Sequence, residues 1–206
     1  MKGAIFDLDG VIVDTAKYHY LAWKELAASL GFFFKESDNE RLKGVSRMRS
    51  LEILLEVGGI TATDAEKEKM AKEKNDRYVE MLSTLNKSEL LEGAEDYLKK
   101  LKSEGILIAL GSASKNAPMI LDKLGITEYF DAVVDGNSVS KAKPDPEVFL
   151  KGAELLGLAP ADCTVFEDSQ AGIEAARNAG CQVIAIDKGG VLYDADKYVT
   201  CLGELL

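Results

Sequence analysis

The 206-residue sequence predicts an α/β fold: a Rossmann-like parallel sheet core with an inserted helical cap domain. Three observations carry that reading. An apolar run, Ala4 to Phe6, delivers Asp7-Leu8-Asp9-Gly10, the pattern of a short buried strand with acids at its carboxyl end. Residues 15–87 then read as helical throughout, with no convincing strand. From Gly93 onward helices and strands alternate, which implies parallel pairing through right-handed crossovers. The first strand has to pair with the later ones, so the helical block is an insertion. The expected domains are a core of residues 1–14 and 88–206 and a cap of residues 15–87.

Each element has a local reason. Tyr20, Trp23, Ala27 and Leu30 recur at helical spacing, and Gly31 stops that helix. Helical stretches near 47–57 and 62–83 follow, the second rich in Lys and Glu. In the core a helix near 94–104 ends at Gly105, and Ile106 to Leu110 is a buried strand. Pro118 falls in the first turn of the next helix, where its missing N–H costs nothing. Short strands follow near 132–134, 163–166 and 182–186, with helices near 145–156 and 169–179. The strand near 182–186 is the last that the pattern shows, and the final stretch of about 15 residues gives no clear element. An insertion after the first strand belongs over the carboxyl edge of the sheet, where lids occur.

Composition narrows the ligand. Lys plus Arg is 25 and Asp plus Glu is 35, a net charge of −10 that repels a nucleic-acid backbone. A small phosphorylated molecule remains compatible, because a local cation outweighs the distant field. No stretch approaches the length of a membrane span, and Asp7 and Asp9 interrupt any signal-like apolar region. Cys163, Cys181 and Cys201 are few, scattered and odd in number, as expected of reduced thiols in a cytoplasmic protein.

Four strand ends carry polar clusters. The first gives Asp7 and Asp9; the second gives Gly111-Ser112-Ala113-Ser114-Lys115-Asn116. Ser140-Lys141-Ala142-Lys143-Pro144 follows the third, and Phe166-Glu167-Asp168-Ser169 ends the fourth. Singly, each reads equally as a helix cap or a solvated turn. Together on one sheet edge they suit phosphoryl transfer. Mg²⁺ takes hard oxygen ligands, which Asp7, Asp168, Glu167 and the Asp9 backbone carbonyl can supply. Lys143 and Ser112 can neutralise and hydrogen-bond the transferring oxygens. Asp7 can serve as a carboxylate nucleophile and Asp9, beyond a bend, as acid and base.

These four motifs, in this order, resemble the signature motifs of the haloacid dehalogenase superfamily. The resemblance implies a Rossmann-like core, Mg²⁺, Asp7 as nucleophile and Asp9 as acid/base. The second aspartate argues for phosphoryl transfer rather than dehalogenation. A signalling receiver also pairs Mg²⁺ with an acceptor Asp, but its acceptor comes later in the chain and carries no cap.

The inserted block bears on the phosphoryl acceptor. Leu42-Lys43-Gly44-Val45-Ser46-Arg47 places two cations and a capping Ser at a helix start, either an anion site or an ordinary capped loop. Lys74 lies among Lys67, Lys69 and Lys72, which by themselves read as a solvated face. Trp23 reads as core, and His19 as a packed or hydrogen-bonded histidine. Resemblance within the superfamily extends to sugar-phosphate mutases, on Asp14-Thr15 with His19 and Trp23, Leu42 to Arg47 with Ser50, Lys74-Asn75-Asp76 with Tyr78, and Ser112 to Asn116. It implies that Arg47 grips the non-transferring phosphate, with Lys43, Gly44, Val45, Ser46 and Ser50 around it. It implies that Ala113, Ser114, Lys115 and Asn116 contact that phosphate or the sugar, and that Trp23, Lys74 and His19 organise the sugar side. The activity so implied interconverts β-glucose 1-phosphate and glucose 6-phosphate through phospho-Asp7 and a 1,6-bisphosphate. A phosphatase of small phosphorylated sugars or acids is the alternative. The expected protein is a cytoplasmic monomer.

Overall fold

The computed structural model describes residues 1–42 and 45–206, so Lys43 and Gly44 lie outside the described residues. The chain forms two compact units, one of Met1–Asp14 with Asn86–Leu206 and one of Thr15–Leu85.

The first unit is built on a six-stranded parallel sheet. Its strands are β1 (Gly3–Phe6), β2 (Leu107–Gly111), β3 (Ala132–Val134), β4 (Cys163–Glu167), β5 (Gln182–Ile186) and β6 (Lys197–Val199), in the spatial order β3-β2-β1-β4-β5-β6. All five pairings are parallel. β1 is central and every residue of it is buried, which is why Gly-Ala-Ile-Phe carries no polar side chain. Alternate residues feed opposite faces. Ile5 and Val165 join a core that includes Val148, Phe149 and Ala153 and, farther along, Ile173 and Ala176. Phe6 and Phe166 point the other way, stacked at 4.4 Å and 10°, with Tyr97 edge-on to both. Such aromatic pairs contribute about 1 kcal/mol beyond the area they bury.

Those core side chains come from the crossover helices. In chain order of the whole protein, α1 (Ala16–Ser29), α2 (Glu36–Asn39), α3 (Arg47–Gly58) and α4 (Asp64–Met81) belong to the second unit. The sheet unit contributes α5 (Ala94–Ser103), α6 (Ala117–Leu124), α7 (Glu147–Leu155) and α8 (Gln170–Ala179). Thus α7 and α8 cover the Ile5 face, and α5, through Tyr97, covers the Phe6 face.

β6 is an element that sequence periodicity does not show. Its three residues are exposed, exposed and buried, so it has neither an apolar run nor a readable alternation. Its pairing is anchored by charges instead. Asp196 accepts from Val183 N at 2.7 Å and receives both terminal nitrogens of Arg177 at 3.0 Å. Asp187 N donates to Val199 O at 2.7 Å.

The helical unit packs Trp23, Leu26 and Ala27 of α1 against Leu51, Leu54 and Leu55 of α3, with Phe34 and Ala71. α4 begins with a reciprocal cap. Thr63 Oγ1 accepts from Glu66 N, and Glu66 Oε2 accepts from Thr63 N at 2.7 Å. Among the described residues no helix is long and apolar enough to cross a membrane.

Candidate active site

Chain direction across the sheet reverses between β1 and β4, and in open α/β sheets such a reversal opens a ligand crevice at the carboxyl ends of the strands. Register pairs Phe6 with Phe166, so Asp7 and Glu167 leave neighbouring strands at one level. Asp7 N still donates to Phe166 O at 2.9 Å. Beyond it the chain bends: Ile12 N and Val13 N both donate to Leu8 O, and Gly10 N donates to Val13 O at 2.8 Å. Gly10 sits at φ +84°, and a Cβ there would overlap the Asp168 carboxylate. Only a glycine lets Asp168 come this close to the Asp7–Asp9 loop.

Between the strand ends lies Lys143, with 1% of its side chain exposed. Its Nζ donates to Asp7 Oδ1 at 2.6 Å and to Glu167 Oε1 at 2.5 Å, and sits 4.9 Å from the Phe149 ring centroid. Glu167 Oε2 accepts from both the N–H and the hydroxyl of Ser169 at 2.9 Å. Ser169 Oγ in turn caps α8 by accepting from Gly172 N at 3.1 Å. A Cβ at Gly172 would overlap the Glu167 carboxyl group, so this position too requires glycine. Glu167 was expected among the Mg²⁺ ligands; here both of its oxygens are engaged, one by the lysine and one by Ser169.

Burial pushes the Asp7 carboxyl up; Lys143 opposes this, Glu167 adds to it, and the result is a pKa of about 6. Burial would lower the Lys143 ammonium, but the two carboxylates outweigh it and raise its pKa. The lysine is therefore a fixed cation, and the cluster of Asp7, Glu167 and Lys143 is one negative charge in excess when all three are ionised. Asp9 and Asp168 add to that excess. Among the described residues no three His, Cys, Asp or Glu side chains already form a cation cage. Mg²⁺ does not need one, since it binds through one or two carboxylates and keeps water or substrate phosphate as its other ligands. A surplus of hard anionic oxygens, with Asp168 crowded against Gly10, fits that cation.

Ser112 follows β2, the other neighbour of β1, and is buried. Its Oγ accepts from Ser114 N at 3.1 Å, which leaves its own O–H free to donate. Ser114 Oγ accepts from Asn116 N at 3.3 Å. Lys115 is exposed, and Ala113, Ser114 and Asn116 are half-buried.

The second unit holds a separate cluster. Lys74 is 3% exposed, and its Nζ lies 2.8 Å from His19 Nδ1, 4.5 Å from the Trp23 ring centroid and 4.8 Å from that of Tyr78. His19 stacks on Tyr78 at 4.0 Å. The solvated face read from the lysine run holds for Lys69 and Lys72, which are exposed, and fails for Lys74. Ala71, Lys74 and Tyr78 share the buried side of α4, and that three- and four-residue spacing is the signal that charge counting hides. Burial, together with the nearby Lys74 and Arg47 cations, pushes the His19 pKa well below 6.5. The neutral ring then offers Nδ1 as the acceptor for Lys74. Arg47 opens α3 behind Ser46, whose hydroxyl accepts from Arg49 N at 3.3 Å. Burial pushes the Arg47 pKa down, while Tyr78 and Asp76 nearby oppose that shift. Val45 is half-buried, and the buried Ser50 donates its N–H to Ser46 O at 2.9 Å. Lys43 and Gly44, named with this loop, fall outside the described residues.

A doubly wound parallel sheet that ends its central strand in Asp-x-Asp, beside a buried lysine held by two carboxylates, defines a class of phosphoryl-transfer proteins. Residues 1–180 match the haloacid dehalogenase-like hydrolase family, and the chain belongs to it. It is 45% identical to a beta-phosphoglucomutase of Bacillus subtilis, over 100% of this chain and 92% of that one. A phosphorylated carbohydrates phosphatase of Thermotoga maritima is 34% identical over 89% of this chain and 84% of its own. The crystal structure of a beta-phosphoglucomutase from Clostridium difficile superposes with a TM-score of 0.96 at 40% identity, covering 100% of this chain and 93% of that one.

Two expectations follow. Replacing Lys143 by Met leaves Asp7 and Glu167 buried together without their cation. The metal-free variant is expected to lose about 3 kcal/mol, read from its denaturant midpoint. His19 is the only histidine, and its folded pKa is depressed, so the unfolded chain binds the extra proton. The His19 contribution therefore holds above 6.5 and is lost as pH drops below 6.5, by up to about 1.4 kcal/mol per unit, while Asp7, raised to about 6, takes up a proton in the folded state and works in the opposite sense. His19→Asn should remove the His19 loss, so that between pH 6.5 and 5 the denaturation midpoint of the variant rises relative to that of the parent.

Proposed function

We propose that this chain interconverts β-D-glucose 1-phosphate and D-glucose 6-phosphate by passing a phosphoryl group through Asp7. The observation that carries the reading is the buried Asp7–Lys143–Glu167 cluster at the sheet reversal, in a chain 45% identical throughout to a beta-phosphoglucomutase. Asp7, as carboxylate, attacks the phosphorus of a bound bisphosphate; the bond from phosphorus to the sugar oxygen breaks, and Asp9 gives its proton to that oxygen. In the other half-reaction Asp9 takes the proton from the accepting hydroxyl as phospho-Asp7 surrenders its group. A β-glucose 1,6-bisphosphate links the two halves. Lys143 offsets charge on the transferring oxygens, and the Ser112 hydroxyl donates to one of them. Glu167, with Ser169 behind it, holds Lys143 in place. Asp7, Asp168 and the Asp9 main-chain carbonyl would hold Mg²⁺, which supplies further charge neutralisation at the phosphoryl group.

The helical unit supplies the grip on the phosphate that is not transferred. Arg47 at the start of α3 is the anchor, supported by Val45, Ser46 and Ser50 and by the adjoining Lys43 and Gly44. An anion is favoured there by the helix dipole and the first-turn N–H groups as well as by the guanidinium. Trp23, Lys74 and His19 organise the sugar side, and Ser114, Lys115 and Asn116 with Ala113 contact sugar or phosphate from the sheet unit. The ligand is a small sugar phosphate rather than nucleic acid or a membrane, in keeping with the net charge of −10. We place the enzyme in the cytoplasm as a monomer, on its few scattered cysteines and its self-sufficient strand-end cluster. The 34% likeness to a carbohydrate phosphatase favours a second reading, transfer of the same phosphoryl group to water.

One assay separates the two. Protein, Mg²⁺, β-glucose 1-phosphate and a trace of the 1,6-bisphosphate are followed for glucose 6-phosphate and free phosphate together. Glucose 6-phosphate without matching phosphate release is expected, and its loss in Asp7→Asn assigns it to the nucleophile; free phosphate alone would replace the mutase by the phosphatase. Arg47→Ala should raise the KM for the sugar phosphate at least about tenfold, the worth of a charged hydrogen bond. Slow hydrolysis of 4-nitrophenyl phosphate should persist in it; equal loss of both activities removes Arg47 from the second-phosphate role.

A further inference from the structure

The residues after β3, Asp135-Gly136-Asn137-Ser138, form a tight turn around one carboxylate. Asp135 is buried. Its Oδ1 accepts from Asn137 N and Ser138 N at 3.0 Å and from Ser138 Oγ at 2.7 Å, and its Oδ2 accepts from Asn137 Nδ2 at 2.8 Å. Burial alone would raise the Asp135 pKa, but the Ser138 and Asn137 donors hold it below the usual carboxylate value. The turn is thereby closed on an anionic carboxylate by four hydrogen bonds.

What the turn grips is the Ser112–Asn116 loop. Gly136 N donates to Ser114 O at 3.1 Å, and Asn137 Nδ2 donates to Lys115 O at 3.2 Å. A Cβ at Gly136 would overlap the Ala113 carbonyl oxygen, so the two backbones touch at a point only glycine allows. Three successive carbonyls, from Ala113 to Lys115, thus lie against the turn. A trans peptide carries its N–H opposite its C=O. Fixing the Ser114 and Lys115 carbonyls therefore also fixes the planes that carry the N–H groups of Lys115 and Asn116, the second of which donates to Ser114 Oγ at 3.3 Å. Strand pairing does not need this arrangement, since the β2–β3 ladder already closes with Ser112 N on Val134 O at 3.0 Å. Asn137 is itself exposed, so its amide has no core to fill.

We infer that the Asp135–Ser138 turn is a positioning element for substrate binding, which sets the backbone direction of Ser114 and Lys115 through Gly136 N and Asn137 Nδ2. The inference rests on the sugar-phosphate reading above, in which that loop contacts the ligand. A loop held in its binding geometry before the ligand arrives spends less of its contact energy on ordering. Asn137 and Gly136 touch no ligand in this scheme; they act through the loop.

The test uses the full chain with Mg²⁺. Asn137→Ala removes the tie to Lys115 O, together with the Nδ2 bond to Asp135 Oδ2, at an exposed position, and Gly136→Ala disturbs the other tie by steric overlap. Each is read for KM and kcat on β-glucose 1-phosphate, for hydrolysis of 4-nitrophenyl phosphate, and for melting temperature. Asn137→Ala should raise the KM for the sugar phosphate about fivefold to tenfold, the effect of the one hydrogen bond lost to the loop, with kcat and aryl phosphate hydrolysis within about twofold of the parent. Gly136→Ala should shift KM in the same direction and further. An unchanged KM in Asn137→Ala, or parallel loss of both activities with the melting temperature, would overturn the inference. Failure of the parent protein to make glucose 6-phosphate counts against the mutase reading instead. The same KM comparison is then made on phosphate released from the sugar phosphate, so the two failures are told apart.

Discussion

A lysine ammonium taken out of water needs compensating partners, and the sheet unit is arranged around supplying them as carboxylates. Lys143 has two, Asp7 and Glu167, brought from adjacent strands by the β1–β4 register. Neither acid is placed by its own strand alone. Glu167 depends on Ser169, on the cap of α8 and on the missing side chain at Gly172. Asp7 depends on the ladder bond to Phe166 just before the chain bends. A buried pair of this kind is weak evidence for stability, because desolvation consumes much of the attraction. Its worth is positional: one cation and two anions cannot move independently. For a reaction in which charge shifts between oxygens, a charge array already in place avoids reorganisation at the moment of transfer.

The helical unit buries a lysine too, by other means. Lys74 is surrounded by the faces of Trp23 and Tyr78 and by a neutral imidazole nitrogen. Ring quadrupoles and a lone pair stabilise an ammonium without supplying a full negative charge. Lys74 and Arg47 each act on His19, and with burial they hold its pKa well below 6.5. One unit therefore sets its buried lysine between carboxylates, and the other sets its own among aromatic rings and an imidazole nitrogen.

Much of this was legible in sequence because the signals were short-range. Buried parallel strands show as apolar runs, and the acids at their ends follow directly, as in Phe6-Asp7 and Phe166-Glu167. Ser46 before Arg47 and Gly31 after α1 behave as their local chemistry dictates. The signals that failed were those in which a residue's partner is distant. Lys143 and Glu167 are 24 positions apart, and nothing in the spacing says that the acid holds a lysine. His19 and Lys74 are 55 apart, so a lysine among lysines read as solvated. The Asp135 turn resembles any Asp-Gly-Asn turn until its neighbour loop is seen. β6 escaped because an edge strand fastened by Arg177 and Asp196 needs no apolar pattern.

Both outer strands of the sheet, β3 and β6, have three residues, where the inner ones have four or five. An outermost strand presents unpaired backbone groups that can recruit another chain, a hazard that grows with its length. Here each margin offers little template, and β6 opens on the exposed Lys197. The feature that sequence periodicity could not see is thus also what finishes the sheet: a parallel core closed at both margins against edge-to-edge aggregation.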